Sequence, residues 1–508
     1  MYFAAALAYS GPIFYYIDCV QLLLRCRRLR RRKKEGEFFV TDVITNINNA
    51  VNGFVWGPPM LILLVGAGLF LTLRTGFVQF RHFGYAMKNT VGKMFQKSQA
   101  GAGSVTPFQA MTTALAATVG TGNIAGITWA VTMGGPGALF WMWIAALLGM
   151  CTKFSEVVLA IRYRQRNAKG DWVGGPMYYI TGGLGKGWRW LSVLFCIFGA
   201  LAAFGIGNAV QVGTITSTIN SAIQTFVPAA AAAQGTISLV IGIVIAFIVA
   251  LVIIGGITRI GQVTEKMVPF MSLIYIVGCL VVIGANVQNL GGVFASIFKG
   301  AFNPSAVVGG AGGIAIVQCM TWGVKRGVFS NEAGLGSAPI AHAAADTRHP
   351  VQQGLYGIFE VFADTIVICS LTGLTLLCSG IDLNYGTKGT TALNMNAFAT
   401  VFGSKAAALI IAVGIMLFAL STVLSWALYG ARCAEYLLGA GAGRVYHIIY
   451  VGVVLVGATM NLGLAWEISD TLNGLMAIPN LVALFGLSGV VVAATRDYFS
   501  KKSGRVRG

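Results

Sequence analysis

The sequence predicts an all-α polytopic membrane protein with about eleven transmembrane helices, arranged as two inverted five-helix repeats after one extra helix. Composition is the first reason: 56% of the 508 residues are hydrophobic and 10% are charged, whereas roughly one quarter of the residues in soluble domains are charged. Uncharged stretches such as 239–256 approach the roughly 20 residues that cross a bilayer core. Two spans are interrupted by glycine and polar residues in matching places of the chain, which is typical of inverted repeats around a site at the bilayer midplane.

Apolar stretches with few or no charges define the elements in chain order. They predict helices at 54–73, 106–130, 136–162, 189–225, 237–256, 262–286, 307–345, 352–379, 405–436, 445–465 and 470–495. The first is the extra helix, within a segment 39–105 that also holds a basic stretch. The next five form one repeat, 106–290, and the last five form the other, 305–496. Because five is odd, the two repeats insert with opposite orientation.

Basic residues follow alternate spans and account for the net charge of +19. The rich clusters are Arg74, Arg81, Lys88, Lys93 and Lys97; Arg162, Arg164, Arg166, Lys169, Lys186 and Arg189; Arg259 and Lys266; Arg348; Arg432 and Arg444; and Arg496, Lys501, Lys502, Arg505 and Arg507. This pattern predicts a cytoplasmic C-terminal tail, 497–508, in a bacterial inner membrane. It explains the charge better than nucleic-acid binding, because no aromatic-basic motif or soluble domain accompanies it.

The first 38 residues fit this arrangement poorly. Their apolar stretch precedes the basic run "RCRRLRRRKK", whereas the positive region of a signal peptide comes before its apolar region. We therefore expect an N-terminal extension and a natural start near Phe39 or Val40.

The two interruptions are the predicted functional site. They are "VGTGN" (119–123) and "FSNEAGLGS" (329–337). A broken helix in lipid leaves amide and carbonyl groups unpaired, so it persists only when it is buried in protein or faces a polar cavity. Free N–H groups suit a carboxylate and free carbonyl oxygens suit a cation, so a zwitterion with sodium would use both kinds. The alternative is that glycines only permit close helix packing, which we prefer for Gly66, Gly68 and the run 309–313.

Two further spans carry polar residues at helical spacing. Gly199, Ala203, Gly207 and Gln211 are spaced four apart and share a predicted face, which suits a helix that lines a cavity. In a later span, Ser421 shares a face with Ser425, and Thr422 shares one with Trp426; hydroxyls are ligands for hard cations. The alternatives are that Gln211 only ties helices together and that the hydroxyls bond their own helix.

Charged residues inside membrane spans are rare and are usually functional or paired. The candidates are Glu156, Arg326, Glu332, Glu360 and Asp364. Arg326 and Glu332 flank the second interruption, where they predict a gate or a structural tie. No isolated carboxylate is obvious at "GTGN", which argues mildly against proton coupling.

Cysteine and histidine usage indicates no metal or catalytic centre. The nine cysteines include no CxxC pair, and most lie in apolar spans, so we interpret them as small buried hydrophobes. The four histidines are dispersed. No nucleophile, base or metal constellation indicates an enzyme.

Several long motifs resemble the alanine or glycine:cation symporter family, also called sodium:alanine symporters. They are "NGFVWGPPM", "GFVQFRHF", "TPFQAMTTALAATVGTGNIAGI", "GGPMYYI" and "RGVFSNEAGLGSAPIAHAAA". The resemblance runs from about Val40 to Tyr498. It implies the leucine-transporter fold and sodium-driven uptake of small neutral amino acids.

The resemblance also implies site residues. A substrate would be held by Gly120, Thr121, Gly122, Asn123, Gln211, Phe329, Ser330 and Trp426. Sodium would lie among Ala116, Val119, Phe418, Ser421 and Thr422. The alternatives are proton coupling or another small substrate such as serine, while the two-repeat arrangement disfavours an ion channel.

Overall fold

The computed structural model describes residues 36–93, 100–304, 307, 315–460 and 462–504. The chain divides into two units, 1–53 and 54–508. The predicted extension before residue 36, the glycines 309–313 and the last four residues of the basic tail lie outside the described residues.

The described residues are almost entirely helical. The α-helices are α1 Gly36–Val55, α2 Pro58–Arg74, α3 Val78–Arg81, α4 Phe83–Thr90, α5 Pro107–Thr118, α6 Ile127–Gly134, α7 Ala138–Arg162, α8 Pro176–Tyr179, α9 Arg189–Phe204, α10 Val210–Phe226, α11 Gln234–Ile253, α12 Gly256–Ala285, α13 Val287–Phe302, α14 Ile316–Asn331, α15 Ala338–His342, α16 Pro350–Val361, α17 Ser370–Cys378, α18 Thr391–Phe402, α19 Ser404–Leu438, α20 Ala442–Thr459 and α21 Leu462–Gly504. A two-stranded antiparallel hairpin, β1 Gln165–Arg166 and β2 Trp172–Val173, follows α7.

Short turns of other helix types join several of these elements. The π-helical turns are Gly122–Gly126, Ile180–Leu184, Gly205–Ala209 and Phe362–Cys369, and the 3-10 turns are Val91–Lys93, Lys186–Trp188 and Pro228–Ala233. The turns at 122–126, 205–209 and 362–369 lie inside spans, where such turns often mark functional positions.

Nine helices in the described residues are long and apolar enough to cross a membrane, or ten if the bent pair 107–118 and 122–134 counts as one span. These ten coincide with ten of the predicted spans. The remaining prediction, 307–345, was an interrupted span: α14 ends at Asn331, and α15 covers only five residues after the break. The helix of the last predicted span, α21, extends beyond 470–495 on both sides, from Leu462 to Gly504.

The helix that carries Gly199, Ala203, Gly207 and Gln211 is not a continuous α-helix. The π-helical turn Gly205–Ala209 separates α9 from α10. A π turn contains one more residue than an α-helical turn, so the residues after it rotate relative to those before it. Gly199 lies against Cys433 and Met476, and Gly207 lies against Trp426, so both glycines approach α19 and Gly199 also approaches α21.

Burial separates inner helices from lipid-facing ones. Along α7, every residue from Gly149 to Ile161 is buried, while Phe247 of α11 and Leu273 of α12 each expose more than half of their surface. Exposed apolar side chains are expected where a helix faces acyl chains, because lipid is as apolar as leucine. The inner helices thus surround the two helix breaks.

The interpretation of the cysteines is confirmed for the described residues. The cysteines there are free and buried, and they are Cys151, Cys196, Cys279, Cys319, Cys369, Cys378 and Cys433. Within the same residues, no three His, Cys, Asp or Glu side chains form a metal-binding group.

Candidate functional site

The first helix break follows a well-defined helix start. Thr106 and Gln109 form a reciprocal capping box, and Pro107 occupies the first turn of α5, so the sequence "TPFQ" begins the helix by satisfying its free amides. The α5 helix ends at Thr118, and the second half starts at Gly122 with its axis bent by 50°. The predicted interruption "VGTGN" is confirmed.

Side chains satisfy the amides that the first break leaves free. The Gly120 N–H donates to Asn123 Oδ1 at 2.8 Å, and the Thr121 N–H donates to Gln211 Oε1 at 3.2 Å. A Cβ on Gly120 would overlap the Thr422 hydroxyl, so only glycine fits there. The break therefore directs two backbone donors toward polar groups in a buried site.

The second break begins later than predicted. Phe329 and Ser330 belong to the regular helix α14, and the chain leaves the helix only at Glu332, which has a left-handed φ of 56°. Two other helices hold the break: the Gly334 N–H donates to Glu156 Oε1 at 3.0 Å, and Asn480 Nδ2 donates to the Gly334 carbonyl at 2.9 Å. The interruption thus covers residues 332–337.

The first break and α14 both bond to one buried carboxylate, Asp364, and the sequence did not predict that this residue lies at the break. Asp364 Oδ1 accepts from Asn123 Nδ2 at 2.7 Å, and its Oδ2 accepts from Ser330 Oγ at 2.9 Å and Thr365 Oγ1 at 2.7 Å. In the described chain Asp364 forms no ion pair. The expectation that no carboxylate lies at "GTGN" is therefore wrong. The only signal in the sequence was an aspartate within an apolar span.

The predicted cation ligands largely converge. Thr422 Oγ1 lies 3.0 Å from the Ala116 carbonyl and 3.1 Å from the Phe418 carbonyl, and Ser421 Oγ lies 3.3 Å and 2.8 Å from the same two oxygens. Hydroxyl and carbonyl oxygens are ligands that hard cations accept. In the described chain no hydrogen bond joins Val119 to Ser421 or Thr422; its N–H donates to the Leu115 carbonyl.

Two aromatic side chains flank this polar centre. A Cβ on Gly122 would lie 3.4 Å from the Phe329 ring, and a Cβ on Gly207 would overlap Trp426. The Trp426 indole N–H donates to Glu332 Oε1 at 3.0 Å. The structure therefore brings Trp426 and the second break together, with Phe329 against the first break.

Comparison with known proteins identifies the family. The model of the sodium:alanine symporter family matches residues 41–507. The chain belongs to this family. It is a multi-pass membrane transporter rather than an enzyme.

Named relatives support the assignment of the family. The sodium/alanine symporter AgcS of Methanococcus maripaludis is 48% identical over 89% of this chain and 96% of its own length. The probable sodium/glutamine symporter GlnT of Bacillus subtilis is 36% identical over 91% of this chain and 93% of its own length.

A solved structure supports the fold. The crystal structure of MhsT in complex with L-phenylalanine, a transporter with the leucine-transporter fold, superposes with a TM-score of 0.52 and 11% sequence identity. The superposition covers 79% of this chain and 99% of MhsT. At this identity the likeness concerns the fold alone.

Arg326 of this symporter-family protein does not pair with Glu332. Its guanidinium lies over three aromatic rings, 4.7 Å from the centroid of Trp129, 5.3 Å from Trp322 and 5.1 Å from Phe329. Among the described residues, Arg326 Nε and Nη1 have no hydrogen-bond partner. Glu332 is instead held by Trp426 and Ser337. The tie expected between Arg326 and Glu332 is therefore absent from this structure.

Glu360, another of the predicted charged residues, belongs to a buried network around α7. Glu360 accepts a salt bridge from Lys153 at 3.2 Å and contacts His342 Nε2 at 3.0 Å. The Gln353 amide nitrogen lies 2.9 Å from His342 Nδ1 and donates to the Pro107 carbonyl. This network connects the start of α5 to α7 and α16, so Glu360 is paired and Asp364 is the carboxylate that faces the first break.

Proposed function

We propose that the protein is a sodium-coupled symporter that imports small neutral amino acids, alanine or glycine, by alternating access. The meeting of the first break with Ser330 and Asp364 carries this proposal, because it puts backbone donors, amides and hydroxyls in one buried place between the two repeats. The name of the AgcS relative, a sodium/alanine symporter, supports alanine as the substrate. The name of GlnT is the reason to test a larger amide substrate as well.

The proposal includes eleven spans in two inverted repeats, 106–290 and 305–496, preceded by the segment 39–105. The broken pair α14 and α15 would supply the eleventh span. The distribution of Lys and Arg supports a cytoplasmic tail, 497–508, and the bacterial inner membrane.

In the substrate site, the N–H groups of the first break would exchange their present bonds to Asn123 and Gln211 for bonds to the substrate carboxylate. Gly120, Thr121 and Gly122 supply backbone at the start of a half-helix, where N–H groups and the helix dipole favour an anion. The side chains that would complete the site are Asn123, Gln211, Phe329, Ser330 and Trp426. The close contacts at Gly120 and Gly122 leave little room, which supports a small substrate.

Sodium would bind where Ser421 and Thr422 meet the end of α5. The carbonyls of Ala116 and Phe418 lie within hydrogen-bonding distance of both hydroxyls, and we retain Val119 as a ligand through its carbonyl. A cation there would bridge α5 and α19, so its binding would favour one arrangement of these helices.

Proton-coupled transport is a second candidate function, and Asp364 is the observation that favours it. A carboxylate that is fully buried and has no ion-pair partner in the described residues needs a proton or a cation to balance its charge. In a sodium symporter, the substrate ammonium group or an ion would balance the charge of Asp364. In a proton-coupled transporter, a proton would do so.

Uptake by the purified protein in lipid vesicles tests these functions. We expect labelled alanine to accumulate only with an inward sodium gradient, and unlabelled glycine, serine and glutamine added in competition define the substrate range. Equal uptake after choline replaces sodium, together with stimulation by an inward proton gradient, would instead establish proton coupling. Large currents without any amino acid would indicate a channel.

A further inference from the structure

A cleft of about 760 Å³ opens between α11, α12, α19 and α20, next to the hairpin of β1 and β2. Its basic lining residues all come from the clusters that predict the cytoplasmic surface. The cleft is separate from the helix breaks and takes no part in the proposed transport site.

The polar wall of the cleft has an excess of positive charge. It is lined by Lys169, Arg432 and Arg444, and by two acids, Asp171 and Glu435. Arg432 binds both acids, at 2.6 Å from Glu435 Oε2 and 3.3 Å from Asp171 Oδ2. In the part of the chain that the structure describes, Lys169 and Arg444 form no ion pair.

A histidine adds a further polar group to this wall. His447 lines the cleft, and its Nε2 has no hydrogen-bond partner among the described residues. Two cationic side chains without acidic partners thus face the same space as this ring, and the two cations suit an anionic ligand that has several oxygen atoms.

Part of the lining of the cleft is apolar and exposed. Ile254 and Ile448 both line the cleft and expose 80% and 74% of their surface. At the ends of membrane-spanning helices such side chains face acyl chains. The cleft therefore joins a basic surface to an apolar one within a single space.

We propose that this cleft binds the headgroup of an anionic phospholipid. Its phosphate lies between Lys169 and Arg444, and its acyl chains run along Ile254 and Ile448. Basic pockets between transmembrane helices at the cytoplasmic surface are suited to such headgroups. Inorganic phosphate is also an anion but has no part that would cover the two isoleucines, so the apolar residues favour the lipid.

Native mass spectrometry of the full-length protein, after exchange into detergent with equal amounts of phosphatidylglycerol and phosphatidylcholine, tests this site. We expect wild type to retain phosphatidylglycerol preferentially. The double variant Lys169→Gln/Arg444→Gln should lose this preference by roughly twenty-five-fold, because each cation contributes about fivefold. The matched control is Lys186→Gln/Arg189→Gln, which removes one lysine and one arginine from exposed positions outside the cleft and should behave as wild type.

Three results would overturn the proposal. The first is wild-type retention of phosphatidylglycerol by Lys169→Gln/Arg444→Gln, and the second is equal retention of both lipids by wild type. The third is displacement of phosphatidylglycerol by excess inorganic phosphate, which would make the cleft a site for free anions. If the double variant aggregates, Arg444→Gln and Arg444→Lys are compared instead: only Arg444→Gln should lose the preference, by about fivefold.

Discussion

Asp364 is the residue whose environment says most about ion coupling. Three donors hold its carboxylate, and two of them, Asn123 and Ser330, come from distant parts of the chain. Such bonds hold the carboxylate in place, but they do not neutralise its charge. A cation or a proton in this site would do so, and the two cases make different predictions for the same variant.

We predict that Asp364→Asn raises the sodium concentration for half-maximal alanine uptake by about tenfold, which is roughly 1.4 kcal/mol. The amide keeps the size of the side chain but removes the negative charge beside the first break, which would attract a cation bound at the end of α5 among Ala116, Ser421 and Thr422. Sodium titration of initial uptake rates measures the effect, and Asp382→Asn in an exposed loop is the control. Unchanged sodium dependence with loss of pH dependence would point to a proton.

Glu332 positions Trp426 in the proposed pocket. Its Oε1 accepts the indole N–H, and its other oxygen contacts the Ser337 hydroxyl. The left-handed conformation of Glu332 turns its carboxylate toward α19 where the helix α14 ends. Glu332 is therefore better described as a positioning residue than as half of a gate.

We expect Glu332→Gln and Trp426→Phe each to weaken alanine binding by roughly tenfold, since a hydrogen bond to a charged group contributes about 1.5 kcal/mol or more. The double variant should be no weaker than the worse single variant, because both remove one interaction. Competition binding measures these affinities. Tyr429→Phe is the control, because the Tyr429 ring contacts Trp426 while its hydroxyl has no partner in the described chain. Additive losses would contradict the coupling.

At the scale of helices, glycine has two different uses in this protein. Gly120 and Gly122 allow other side chains to approach the first break, whereas Gly334 and Gly336 have φ values of 93° and 82°, which favour glycine in the second break. The sequence identified both breaks because glycine beside polar residues is unusual in a membrane span. The exact end of α14 depended on contacts from α7 and α21.

Two glycines in α2 differ in whether a neighbouring helix packs closely against them. The sequence favoured close packing for both, but a Cβ on Gly68 would lie 3.0 Å from Leu148 Cβ and 3.1 Å from its backbone, while a Cβ on Gly66 would have no neighbour within 4 Å. Only Gly68 therefore supports the approach of α2 to α7.

We predict that Gly68→Ala lowers the unfolding temperature in detergent relative to Gly66→Ala, by an equivalent of about 1–3 kcal/mol. Both substitutions gain the same helix propensity, up to about 1 kcal/mol, so the difference reports the contact with Leu148. Thermal unfolding followed by intrinsic fluorescence measures it. Equal unfolding temperatures would show that α7 moves aside at no cost.

For the whole molecule, coupling to one sodium ion makes transport of a zwitterion electrogenic. One charge moving inward through 100 mV supplies about 2.3 kcal/mol, which corresponds to roughly fortyfold accumulation at about 1.4 kcal/mol per tenfold. We predict that an inside-negative potassium diffusion potential drives alanine into vesicles that contain equal sodium on both sides. Equal alanine accumulation with and without the potential would indicate an electroneutral exchange.

The sequence by itself determined the class of the protein, most of its spans and the presence of both helix breaks. These features follow from local properties: apolar length, the alternation of basic clusters, and glycine beside polar residues inside a span. The sequence also predicted a sodium site, but through resemblance to a family rather than through spacing. Its residues are Ala116, Val119, Phe418, Ser421 and Thr422.

The tertiary structure alone decided which buried polar and charged groups contact each other. Asn123 and Asp364 are 241 residues apart in the chain, and no periodicity relates them. Arg326 and Glu332 are close in sequence, yet the one lies among aromatic rings and the other bonds to Trp426. The physical reason is that helix formation and breakage depend on neighbouring residues, whereas the partner of a buried polar group depends on how distant helices pack.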